Sequence, residues 1–110
     1  MRLDLAFSAL ADPTRRAMLA RLRQGEATVS ELAAPHQLSQ PTISKHLKVL
    51  ETAGLIETSR AAQTRPRRLR PEALQMIDDW LGPFRDQWQG RFDRLEDLVN
   101  RDNDQDASDA

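Results

Sequence analysis

The sequence predicts a mainly α-helical fold carrying one small β-hairpin. Three observations carry that prediction. Two short amphipathic segments, Thr28 to Ala34 and Ser39 to Ala53, are joined by Pro35-His36-Gln37-Leu38, and the second keeps a polar outer face. An arginine-rich run, Leu55 to Arg70, then reads as two short strands around a polar connection. Apolar residues at i, i+3 and i+4 spacing dominate from Leu74 to Val99, and four of the chain's five aromatic side chains lie there. Helix, turn, second helix and a following hairpin make a winged helix-turn-helix. The last stretch predicts that two copies join through their terminal helices.

Residues Met1 to Leu10 are read as a short helix with Leu3, Phe7 and Leu10 on one side. Asp12-Pro13 opens the second helix: an N-cap carboxylate accepts from an unpaired first-turn amide, and proline at N1 gives up no hydrogen bond. Its inner positions are Met18, Leu19 and Leu22, and it is expected to stop near Gly25. Arg15 and Arg16 fall in its first turn, where the helix dipole disfavours cations. They are expected to have partners, an acid of the fold ahead of a phosphate. In the third helix Thr28 and Glu31 have capping-box spacing, with Val29, Leu32 and Ala33 inward.

The fourth helix is the one the others serve. Ser39 is its predicted N-cap, Pro41 lies in the first turn, and Gly54 follows its end as a residue able to take positive φ. Ile43, Leu47 and Leu50 form one apolar stripe at i, i+4, i+7. At about 100° per residue, Lys45, Lys48 and Thr52 point away from it, flanked by Thr42 and Ser44. Such a helix can pack on a core and lay cations and hydroxyls in a DNA major groove. An ordinary amphipathic surface helix has the same pattern, so this segment alone leaves both readings open.

Leu55 to Arg60 reads as a strand and Arg65 to Arg70 as its return, with Pro66 implying an edge position because proline cannot donate to a ladder. Five arginines in the eleven residues from Arg60 to Arg70 suit a wing that reaches a phosphate backbone or a minor groove. The competing reading is a solvated hairpin whose charges prevent edge-to-edge pairing.

Pro71 starts the last helical region, with Leu74, Ile77, Trp80 and Leu81 apolar. Gly82-Pro83 predicts two helices or one bent one. Beyond it, Phe84, Trp88, Phe92, Leu95 and Val99 continue the repeat, with Leu98 beside them. The stripe is read as a surface buried against a second copy, together with Leu3, Phe7 and Leu10. A small-molecule pocket at Trp80, Phe84 and Trp88 is the alternative, and a ligand there could change the angle between two DNA-reading heads. Residues 1–101 are expected to form the DNA-binding domain with its dimerisation helices, and residues 102–110 a disordered acidic tail.

Composition bounds the function. A chain of 110 residues with net charge -1 suits one domain with a modest core. From Ser39 to Arg70 seven cations meet two acids, a local balance of +5, whereas from Pro71 onward eleven acids meet four arginines, a balance of -7. A basic middle set off by an acidic end fits a localised phosphate contact. With no cysteine, disulfides and thiolate metal sites are excluded. No apolar run is long enough for a bilayer, and the N-terminus lacks a signal peptide's apolar middle, so a cytoplasmic protein is expected. No enzyme is expected either. Ser39, Ser44 and His46 share a helix, but residues two apart do not face each other, and no acid beside them orients the imidazole.

The runs ALADPTRRAMLARL, ELA and LSQPTISKHLKVLETAGLI, followed by the arginine hairpin, resemble the ArsR/SmtB family of winged helix-turn-helix repressors. The resemblance spans about Phe7 to Leu81. It implies a homodimeric bacterial transcription factor that binds an operator inverted repeat in double-stranded DNA, with its terminal helices as the dimer interface. By the same resemblance, Gln40, Thr42, Ser44 and Lys45 face DNA, His46 and Lys48 flank them, and Arg65 and Arg67 belong to the wing, with Arg60 and Arg68 beside them. Many members sense metals through cysteines before the turn or through His and carboxylate pairs in the last helix. This chain has neither thiols nor C-terminal histidines; its only histidines are His36 and His46. It resembles the branch without metal ligands, and no metal or cofactor is expected. A small-molecule effector stays open.

Overall fold

The computed structural model describes the backbone of residues 2–60 and 63–109 and the side chains as far as Asp102. Five α-helices and one two-stranded antiparallel sheet follow in the order α1 (Leu3–Leu10), α2 (Pro13–Leu22), α3 (Val29–Ala33), α4 (Gln40–Thr52), β1 (Ile56–Thr58), β2 (Arg67–Leu69) and α5 (Pro71–Asp109). A 3-10 turn, Ala34–His36, links α3 to α4. The chain divides into two compact units, Met1–Ile77 and Asp78–Ala110.

The first unit holds the core. Met18, Leu32, Ile43, Leu47, Leu50, Leu55 and Ile56 are its largest fully buried side chains. They come from α2, α3, α4 and the start of the hairpin, and Ala73 and Ile77 add the first turns of α5. The inner positions expected for α2 (Met18, Leu19, Leu22) are buried. In α1 the buried face is Ala6 and Ala9, with Leu3 and Leu10 partly packed on the same core and Phe7 exposed. The expected Leu3–Phe7–Leu10 side is therefore divided. Small alanines let α1 lie close to the body, and this draws the two flanking leucines inward.

The helix ends follow their sequence signals. Asp12 caps α2 by accepting from the Arg15 amide at 3.0 Å. Thr28 and Glu31 form both halves of the capping box. Ser39 accepts from the Thr42 amide at 3.3 Å. At the far end of α4, Leu55 N–H reaches the Leu50 carbonyl at 3.0 Å and Gly54 N–H the Glu51 carbonyl at 2.9 Å. This is the Schellman pairing, with Gly54 at φ 78°. Gln37, at φ 53°, makes the turn into α4.

The hairpin pairs Ile56 with Leu69, Glu57 with Arg68 and Thr58 with Arg67. One further rung has a single bond, from Ser59 N–H to the Pro66 carbonyl at 2.8 Å, because Pro66 has no N–H to return. β2 is an edge of the two-stranded sheet, the position expected from Pro66. Arg67 also exchanges two backbone hydrogen bonds with Ala27, at 2.8 and 3.1 Å, so β2 is flanked on both sides at its first residue. Proline stands just before the strand and spares that second ladder.

Helix α5 runs from Pro71 to Asp109 with Pro83 inside it, a single helix, the second of the two alternatives that Gly82-Pro83 offered; Pro83 has no N–H, so one intrahelical bond is missing there. Its backbone also continues through most of the stretch expected to be a disordered tail from Asp102. An existing helix extends at one hydrogen bond per residue without a new nucleus, and this outweighs a sequence poor in apolar side chains. No helix among the described residues is long and apolar enough to cross a membrane.

Candidate nucleic-acid interface

The interface is built around α4. Ile43, Leu47 and Leu50 are buried, and this orients the rest of the helix. Gln40, Ser44, Lys45 and Lys48 are exposed, Thr42 is half-buried under the Ser39 cap, and His46 is half-buried. Lys45 and Lys48 make no ion pair among the described residues. Gln40 is held at the helix start by a bond from its Nε2 to the Ser30 hydroxyl, 3.3 Å away on α3. Its remaining N–H donor and its Oε1 acceptor stay available to a base edge.

His46 faces the body of the protein. Its Nδ1 lies 3.3 Å from an Arg15 guanidinium nitrogen and 4.0 Å from an Asp12 carboxylate oxygen. The Arg15 backbone amide, then the charges of His46 and Arg15, hold the Asp12 carboxyl below the usual carboxylate range. Arg15 also donates from Nε to the Ala9 carbonyl at 2.7 Å and from a terminal nitrogen to the Ser8 carbonyl at 3.2 Å, and Arg16 donates to the Leu10 carbonyl at 2.8 Å. The partners expected for these arginines are thus neither an acid nor a phosphate in the first place. They are the carbonyls that end α1, where the helix dipole favours cations.

The wing arginines separate into two groups. Arg60 and Arg65 are exposed, whereas Arg68 lies 2.6 Å from Glu57 across the hairpin. Arg70 lies within 4 Å of both Glu57 and Glu72. Arg67 is half-buried in the sheet and turns its guanidinium to the Arg65 carbonyl, while its buried Nε has no partner. Of the four arginines expected to contact DNA, Arg68 is therefore engaged by an acid and Arg67 by backbone. The cross-strand register sets this, because it puts Glu57 directly opposite Arg68. Ala61 and Ala62, in the connection, lie outside the described residues.

In the second unit, Trp80, Phe84, Trp88, Phe92, Leu95, Leu98 and Val99 are exposed, each between 47% and 60%. Ring pairs line the helix: Trp80 and Phe84 at 4.9 Å between centroids, Trp88 and Phe92 edge to face at 5.4 Å. Among the described residues no cluster of His, Asp and Glu side chains is arranged to hold a metal ion.

Residues 12–58, which run from the α2 cap through β1, match the model of the arsR family of bacterial regulatory proteins. The HTH-type transcriptional regulator Rv2034 of Mycobacterium tuberculosis is 43% identical over 81 residues, 74% of this chain and 76% of that protein. The chain belongs to the ArsR family. It is a DNA-binding transcriptional regulator with a winged helix-turn-helix, and not an enzyme. The transcriptional repressor SdpR of Bacillus subtilis is 36% identical over 71% of this chain and 87% of its own length. Among solved structures, the homodimeric winged helix-turn-helix DNA-binding domain of a possible ArsR-family regulator from Mycobacterium bovis has a TM-score of 0.61 at 26% identity. That match covers 76% of this chain and 78% of that one.

Two contributors to the interface escape a reading of this ArsR chain by pattern alone. Ser30 is an unremarked exposed position of α3 whose partner is ten residues away. The Arg15 contact to His46 joins α2 to α4 over thirty-one residues. A polar residue one turn before the helix-turn-helix bend is the only local signal for the first. Cations in an unfavourable first turn are the signal for the second.

Proposed function

We propose that this ArsR-family chain is a dimeric, cytoplasmic repressor that reads an operator inverted repeat with two copies of α4. The observation that carries the reading is the division of α4 into a buried stripe, Ile43, Leu47 and Leu50, and a bare face, Gln40, Ser44, Lys45 and Lys48. Gln40 pairs with adenine and Lys45 with guanine edges. Thr42, bonded to Ser39, is a less selective contact than Gln40, and His46 holds the helix in place. Arg60 and Arg65 extend to the phosphates, and Arg67 and Arg68 shape the wing that presents them. Dimerisation is supported by the row of exposed aromatic and aliphatic side chains from Trp80 to Val99, larger than a lone soluble chain tolerates, and by the homodimeric solved relative. Phe84, Trp88, Phe92, Leu95 and Val99 are its proposed contacts, with Phe7 from α1. An effector of this repressor, if it has one, acts on that dimer.

Selection of bound duplexes from a random pool tests the reading. A palindromic consensus with half-sites about 34–36 Å apart, losing selectivity with Lys45→Ala and losing affinity for all sequences alike with Arg65→Ala, is the expected result. A non-palindromic consensus, or none, would overturn it.

A further inference from the structure

A cleft of about 410 Å³ lies beside the DNA-facing side of α4, between that helix and α1. Leu5, Val49 and Ala53 make its apolar lining, Ser8 and Thr52 add hydroxyls, and Lys45 and Lys48 line it as well. The volume falls within the roughly 300–1,000 Å³ usual for small-ligand sites. Leu5 and Val49, 37% and 40% exposed, are apolar side chains on a surface otherwise rich in charge. The two lysines are one helical turn apart, and no acid of the described residues pairs with them.

We propose that this cleft binds an amphiphilic organic anion, a carboxylate on an aliphatic body. The chain of the ligand covers Leu5, Val49 and Ala53, and its carboxylate accepts from Lys45 and Lys48. Charge complementarity selects this occupant: an uncharged body leaves both ammonium groups without a counter-charge, and a small anion leaves the apolar walls wet. DNA phosphates cannot fill the apolar part. Because Lys45 also faces the groove in the function proposed above, and the proposal rests on that reading for this consequence alone, an occupied cleft competes with operator.

Decanoate, below its micelle concentration, is the probe, followed on the methyl resonances of Leu5 and Val49 in the intact protein. Saturable shifts at both residues are expected, with decanol and acetate binding about tenfold or more weakly, the loss of one charge-assisted contact or of the apolar body. Lys45→Gln with Lys48→Gln is expected to weaken decanoate about tenfold and leave decanol unchanged. Leu5→Gln is expected to abolish decanoate shifts at Val49 while circular dichroism and DNA affinity stay as in the wild type. Equal binding of decanol, or shifts confined to the aromatic residues of α5, would overturn the proposal. If decanoate fills the cleft and operator affinity does not move, the cleft stands and the groove placement of Lys45 fails.

Discussion

At the scale of single residues, Gln40 and Ser30 show how readout is prepared before DNA arrives. A glutamine side chain loses rotamer freedom when it meets a base, and the Ser30 hydroxyl removes part of that cost by holding Nε2 in the free protein. Ser30→Ala is therefore expected to lower the ratio of specific to non-specific binding about threefold to tenfold, less than a bidentate contact is worth, with little change in thermal midpoint. A competition gel shift against random DNA checks it. Asp12 contributes to the pH dependence. Its carboxyl is depressed by the Arg15 amide and then by His46 and Arg15, so its contribution is complete above the unfolded value of about 3.9 and disappears as pH falls through the lower folded value. Urea midpoints measured from pH 6 down to pH 2 should fall less steeply in Asp12→Ala than in the wild type, with the difference confined below about pH 4.

At the scale of elements, α4 is defined from both ends by hydrogen bonds that its sequence announces, Ser39 at the start and Gly54 at the finish. Its inward stripe sets which side chains look outward. Leu47, 2% exposed, is the middle of that stripe, and Leu47→Ala is expected to destabilise the fold by about 2–5 kcal/mol through the cavity it leaves, read as a shift in denaturant midpoint at unchanged slope. Caps, the turn and the apolar period of α2 and α4 were legible because each is set by neighbours within one or two turns. The edges of the site were not. The neutralisation of Arg68 depends on strand register, and the two-sided pairing of Arg67 depends on Ala27, forty residues earlier. The division of Leu3, Phe7 and Leu10 was hidden for another reason: a helix with alanines on one side can bury that side instead of its larger residues.

For the whole molecule, the ArsR assignment and the exposed row from Trp80 to Val99 together make association the central question. Trp88, 60% exposed in the single chain, contributes little to folding of one copy, so Trp88→Asp is expected to leave helicity intact and to weaken self-association by about 2 kcal/mol or more, as expected for an aromatic anchor. Light scattering over a dilution series checks this, and operator affinity should fall with it. The chain's charge helps selectivity: the unit from Asp78 onward is acidic, which keeps the phosphate contact local to the basic middle. One earlier feature bears on how small a working piece of this protein can be. The family match begins at Asp12, yet Arg15 and Arg16 clasp the carbonyls of Ser8, Ala9 and Leu10, and Ala6 and Ala9 are sealed against Met18 and its neighbours. A version truncated to the start of that match would strip the lid from the interior and strand two guanidinium groups, so the minimal autonomous repressor head has to keep its first ten residues.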